Sequence, residues 1–167
     1  SEPTLAIATG TSFYNLVFVP ASVSKVVMQA TNVSTLSLEL APISLDDLMT
    51  LVHPENYDYR QLFLPAVLEK TTISLNLPRN KSELVQIPLT YQGNLLSPGV
   101  YFLGISSPDI ENIDSYFVQK LFLIVSENNL VMKVSPEQVT VWATRLNDDS
   151  PVAGAPVTVY TTVGEIL

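Results

Sequence analysis

Period-two alternation constrains this chain more than any other feature. In Thr35-Leu36-Ser37-Leu38-Glu39-Leu40 three leucines point one way while Ser37 and Glu39 point the other, which is the pattern of a half-buried strand. Thr72-Ile73-Ser74-Leu75-Asn76-Leu77 repeats it and is ended by Pro78-Arg79-Asn80. The same reading predicts strands at 14–19, 24–30, 84–91, 99–106 and 116–126. Apolar residues occupy both faces of the last, so it is predicted to be a central strand.

Turn signals separate these runs: Pro20-Ala21-Ser22, Gln92-Gly93-Asn94, Ser97-Pro98-Gly99 and Ser107-Pro108-Asp109. Short alternating strands punctuated by Pro and Gly point to an all-β class, an antiparallel sandwich or barrel; the fold expected is the sandwich, of the immunoglobulin or a related type. One helix is expected to interrupt it. Ser44 stands at an N-cap position with Asp47 three residues on, Leu45, Leu48, Met49 and Val52 recur at helical spacing, and Pro54 stops the run. Residues 55–68 show no clear period and read as a long ordered loop lying on the sheet or helix.

A core of this kind needs apolar material, and 47% hydrophobic against 14% charged residues supplies it. The formal net charge of −8 comes from eight cations scattered singly among sixteen carboxylates. Nucleic acid is therefore excluded as a partner, since no basic patch exists to meet phosphates, and an anionic membrane surface is excluded for the same reason. No apolar run approaches the roughly 18 residues that would insert into a bilayer. The absence of cysteine removes disulfides, thiolate metal ligands and cysteine nucleophiles. It leaves the compartment open.

After Ser126-Glu127-Asn128-Asn129 the strand pattern restarts at 130–134, 138–145 and 155–161. The polar break divides the expected domains: a sandwich over 1–128, and at 129–167 the incomplete start of a second. Three short strands cannot bury an independent core, because even domains of about 60 residues are marginal. Their open edge is expected to favour pairing with another chain or folding of the tail onto the first domain.

Several stretches carry a resemblance. Phe122-Leu123-Ile124-Val125-Ser126, Leu130-Val131-Met132-Lys133-Val134-Ser135-Pro136, Val139-Thr140-Val141-Trp142-Ala143-Thr144 and Pro151-Val152-Ala153-Gly154-Ala155-Pro156-Val157-Thr158-Val159-Tyr160 follow one another in the order seen at the start of a macroglobulin-type domain. Upstream, Phe18-Val19-Pro20-Ala21, Thr31-Asn32-Val33-Ser34-Thr35-Leu36, the helix at Ser44 and Pro98-Gly99-Val100-Tyr101 fit the preceding domain. The chain thus resembles the bacterial α2-macroglobulin family over most of its length. The resemblance implies a macroglobulin-like structural segment of a protease trap, a broad-spectrum endopeptidase inhibitor of the cell exterior or cell envelope. Its implied partners are neighbouring domains of a larger chain and, through the intact protein, target proteases. The Cys-x-Glu-Gln thioester of many members has no counterpart among these residues, and no catalytic residue carries over. The reading kept beside it is an immunoglobulin-like repeat of a surface adhesin or stalk; a third is a carbohydrate-binding module using Trp142 or Tyr57.

No catalytic, cofactor or metal site is expected. His53, the single histidine, reads as the end of the helix, and no Gly-rich phosphate loop or Gly-x-Ser-x-Gly elbow occurs. Asp109, Glu111 and Asp114 share one loop but lack the spacing and turn glycine of an EF-hand, and Asp148-Asp149 reads as a turn. Asn32-Val33-Ser34 and Asn80-Lys81-Ser82 match the glycosylation sequon, which matters only in a eukaryotic secretory pathway. The candidate contact patch is Tyr57, Tyr59 and Arg60, because Tyr and Arg are enriched at binding hot spots, with Trp142 as a further contact or packing residue.

Overall fold

The computed structural model describes residues 2–8, 15–111, 117–161 and 165–166. Along the chain run β1 (Thr4–Ile7), β2 (Leu16–Pro20), β3 (Lys25–Thr31), β4 (Thr35–Ile43), α1 (Leu45–Val52), α2 (Tyr57–Leu62), β5 (Glu69–Ser74), β6 (Ser82–Pro88), β7 (Thr90–Tyr91), β8 (Asn94–Leu95), β9 (Gly99–Ser106), β10 (Gln119–Ser126), β11 (Asn128–Val134) and β12 (Val139–Arg145). A three-stranded sheet in the order β1-β3-β6 packs on a five-stranded sheet in the order β2-β10-β9-β4-β5. The result is a β-sandwich, as the alternation predicts.

The alternating leucines do what their spacing demands. Leu36, Leu38 and Leu40 of β4 are buried with Leu103 and Ile105 of β9, Leu121 and Leu123 of β10, and Val26, Met28 and Ile87 of the facing sheet. Alternation determines which face is buried but not the direction of a neighbour. β10 is central, as predicted, and antiparallel to β9, yet it runs parallel to β2 with Phe122 beside Leu16 and Val125 beside Val19. β2 then turns at once into β3 of the other sheet, with the Val23 and Ser24 amides donating to the Pro20 carbonyl at 3.0 and 2.9 Å.

The outward face of the large sheet is not left to solvent. Phe102, Phe117 and Phe122 form a second buried cluster with Leu48 and Leu51 of α1, and Phe63 and Leu68 pack against it. A helical layer thus covers part of the sheet. At its start Ser44 and Asp47 make the expected capping box: the Asp47 amide donates to Ser44 Oγ at 3.0 Å and the Ser44 amide to Asp47 Oδ2 at 3.2 Å.

Several expectations need correction. Residues 57–62, read as loop, are helical; six residues are too few to display a period, and α2 is held by tertiary contacts rather than by a side-chain cap. Glu39, on the polar side of an alternating strand, is only 2% exposed and pairs with Lys70 Nζ at 2.8 Å. The predicted strand at 155–161 is absent: only an isolated bridge, Tyr160 to Ile166, occurs there. Gly154 is left-handed at φ 69° and Pro156 offers no amide donor, so no ladder is formed. β1 has no clear sequence signal, and Leu5 brings it into the core. β5 lies three residues upstream of its predicted place, with Leu75 and Leu77 still packed on the core.

β11 and β12 form a separate two-stranded sheet. β11 begins at Asn128, so Asn128 and Asn129, read as part of a break, pair with Arg145 and Thr144. The Leu146 amide donates to the Glu127 carbonyl at 2.9 Å, closing the base of the hairpin.

Candidate interaction surface

Hydrogen bonds to backbone carbonyls hold the helical layer and turn its cations inward. Arg60 Nη1 donates to the Leu51 carbonyl at 2.6 Å, where positive charge meets the negative end of the α1 dipole. Asn56 Nδ2 donates to the Thr50 carbonyl at 2.9 Å. From the sheet, Lys120 Nζ donates to the carbonyls of Gln61 and Phe63 at 2.6 and 2.8 Å and stands 5.9 Å from the Phe102 ring centroid. Burial pushes the Lys120 ammonium below the ordinary lysine range, because the charged form loses hydration. A lone lysine on an apolar strand was the available signal for this role.

The outward side of the layer is apolar and acidic. Tyr57, Tyr59, Leu62, Leu64 and Val67 are exposed, Leu62 at 82% and Val67 at 77%. The Arg60 guanidinium lies 5.7 Å from the Tyr57 ring centroid and the Tyr59 ring 5.8 Å from that of Phe63. Asp46, Glu55 and Asp58 are exposed. Between the start of α1 and the 63–67 segment runs a groove of about 410 Å³, lined by Ile43, Asp47, Phe63, Leu64, Val67 and Tyr91.

Of the predicted contact residues, Tyr57 and Tyr59 are exposed but flank α2 on different sides, being about 200° apart round the helix, and Arg60 is turned inward. Arg60 is 7% exposed, its fork committed to capping α1. Trp142 lies elsewhere, on β12 opposite Val131, and is 49% exposed. It shares one face of the hairpin with Val131, while Leu130, Met132, Val134 and Val139 are exposed on the opposite face. A groove of about 610 Å³ separates that hairpin from the large sheet, lined by Phe18, Ile124, Leu130, Ala143, Val152 and Val157.

The titratable groups serve as clips. Asp109 Oδ2 accepts from the Ser34 amide at 2.7 Å, Ser34 Oγ at 2.8 Å and the Thr35 amide at 3.3 Å, tying the loop after β9 to the turn before β4. The backbone and hydroxyl bonds from Ser34 hold its carboxyl below the ordinary range. A depressed carboxyl stabilises the fold above its unfolded pKa, and the contribution is lost as pH falls through the folded value. Asp109→Ala is expected to cost about 1 kcal/mol at neutral pH, held down by solvent screening. The difference between mutant and wild-type melting curves should shrink in strong acid; a constant difference would show that the carboxylate charge is irrelevant. Asp114 lies outside the described residues.

The remaining candidates are local. His53 ends α1, its Nδ1 accepting from the Glu55 amide at 3.3 Å. Asp148 Oδ1 accepts from the Ser150 amide at 3.0 Å within the turn after β12, and the Ser150 hydroxyl and amide hold that carboxyl below its ordinary range. Asn32 and Asn80 bond one another: the Asn80 amide donates to Asn32 Oδ1 at 2.7 Å and Asn32 Nδ2 to Asn80 Oδ1 at 3.0 Å. No group of three or more potential metal ligands gathers among the described residues. Nor is any described helix long and apolar enough to cross a membrane.

Known structures share this arrangement. The chain is similar to native alpha-2-macroglobulin from Escherichia coli spanning domains MG0-NIE-MG1, with a TM-score of 0.70 and 17% identity over 100% of this chain and 53% of that one. Against the piece spanning domains NIE-MG1 the TM-score is 0.72 at 16% identity, covering 99% of this chain and 80% of that one. Against the trypsin-activated form it is 0.73 at 18% identity, covering 99% and 11%. The fold is that of bacterial α2-macroglobulin domains. The α2-macroglobulin match takes in sandwich, helical layer and hairpin alike, since 99% or more of the chain is covered in all three. The chain spans 53% of the length of the first of these structures. No protein-family model matches it, and no curated protein does.

Proposed function

We propose that this chain is a structural segment of an α2-macroglobulin-like endopeptidase inhibitor, working outside the cell or in its envelope, and that it acts as scaffold and interdomain surface rather than as an enzyme. The carrying observation is the whole-length structural match, which includes the hairpin as well as the sandwich. In this reading residues 1–128 form one macroglobulin-like domain and β11–β12 open the next. The exposed apolar face of the hairpin and the groove beside it are where further strands and a neighbouring domain pack. Rigid sandwiches docked through such faces can rearrange as bodies when a distant segment is cut.

Residues 1–167 alone are expected to leave trypsin untouched on both small and protein substrates. The longer chain that carries them should shield protein substrates from bound trypsin while a small chromogenic substrate is still cleaved. Stoichiometric inhibition by 1–167 alone, or no shielding by the longer chain, would sink the reading. In isolation the open edge of β11 is expected to pair with a second copy. That association should appear as a mass that rises with concentration and should vanish in Val131→Lys; a monomer at every concentration refutes it.

A further inference from the structure

We infer that the outward face of the α1–α2 layer is a docking surface for a basic, apolar-bearing segment of a partner protein. An apolar side chain of the partner enters the groove beside Ile43, Leu64 and Val67, and its Lys or Arg side chains meet Asp46, Glu55 and Asp58. The inference is independent of the inhibitor reading, because it rests on the composition and electrostatics of this face alone.

The apolar part is more than scattered single residues. On α2 Leu62 lies one turn after Asp58 on the side away from buried Arg60, Tyr57 and Tyr59 flank that side, and Leu64 and Val67 follow it, all of them exposed; exposed apolar groups rimmed by polar residues mark contact sites. Tyr59 is backed by packing: it leans on Phe63, which itself packs on Phe102 and Phe122 at 6.2 Å. Anchors held in place lose little freedom on binding.

The charge pattern selects the partner. Residues 44–68 hold four carboxylates, Asp46, Asp47, Glu55 and Asp58, and a single arginine. That arginine is buried against the Leu51 carbonyl, and Lys120, the cation reaching the layer from the sheet, is directed at the carbonyls of Gln61 and Phe63. Asp47 is engaged in the capping box, but Asp46, Glu55 and Asp58 face solvent. The face is therefore negative around an apolar centre, and complementary potential calls for a basic partner. At this face a second copy of the same acidic face would set like charge against like, as would an anionic bilayer, so neither is complementary to it.

The test uses the whole chain and a fluorescent amphipathic peptide of Lys and Leu, with a Glu and Leu peptide of the same length as control. Fluorescence anisotropy should show binding of the Lys peptide, weakening as salt is raised, and none of the Glu peptide. Leu62→Ser with Val67→Ser, and separately Asp46→Lys with Asp58→Lys, should each weaken binding by about tenfold or more. All four positions are exposed, and circular dichroism checks that the variants fold. Absence of binding, equal binding of both peptides, or binding indifferent to both variant pairs overturns the inference. So does self-association that Leu62→Ser abolishes and Val131→Lys does not, since the occupant would then be a second copy.

Discussion

Replacing Phe122 with alanine is expected to lower stability by about 3–5 kcal/mol, the largest single effect of any substitution considered. The ring is fully buried in the middle of β10, beside Phe102 of β9 and Leu16 of β2. Its centroid lies 6.2 Å from those of Phe102 and Phe63, so truncation removes two aromatic pairs as well as buried area. The cavity opens beneath the helical layer. Urea unfolding should show a lower midpoint with an unchanged slope. Hydrogen exchange should quicken in α1 and α2 before it does in β3 and β6, which belong to the opposite sheet. A loss below about 1 kcal/mol would mean that the outer cluster relaxes around the deletion and does not anchor the helices.

Gly104→Val should cost about 2–3 kcal/mol for the opposite reason, overpacking. A Cβ built at Gly104 falls 2.3 Å from Cε1 of Phe117 and 2.6 Å from two further ring atoms. Gly104 is needed here for close approach: the ring lies directly over its backbone and meets Phe102 edge-on at 5.7 Å. A side chain at 104 expels Phe117, which is 5% exposed, from the outer cluster. If that is the mechanism, Gly104→Val and Phe117→Ala remove the same contact. The double variant should then be clearly less destabilised than the sum of the singles. Additive losses would show that the glycine acts through something other than the ring.

Both effects sit on the outward face of the large sheet, where local sequence pattern and tertiary structure diverge. Phe122 was legible as a residue of a strand apolar on both sides. Gly104 was not, because nothing local says that a ring from the far end of the β9–β10 connection, Phe117, will lie on it. Glu39 shows the same limit: its place in the alternation is correct, yet its burial depends on what covers that side of β4. Tyr57 and Tyr59, expected as contact residues from their type alone, are exposed. Arg60 was assigned to the same surface and is buried, because an arginine within reach of an open helix end is drawn to its carbonyls.

By itself the sequence determined the class, the inward face of β4, the bounds of β9 and the start of α1. These depend on interactions within a few residues: the two-residue pleat that sends Leu36, Leu38 and Leu40 to one side, the Pro-Gly opening at Pro98 and Gly99, and the Ser44–Asp47 box. Only the tertiary structure decided that β2 lies parallel to β10, that residues 57–62 are helical and that residues 155–161 are not a strand. Each is a question of partner rather than pattern. A strand persists when another strand takes up its amides and carbonyls, and a six-residue helix persists when Arg60, Lys120 and Phe63 tie it to its neighbours.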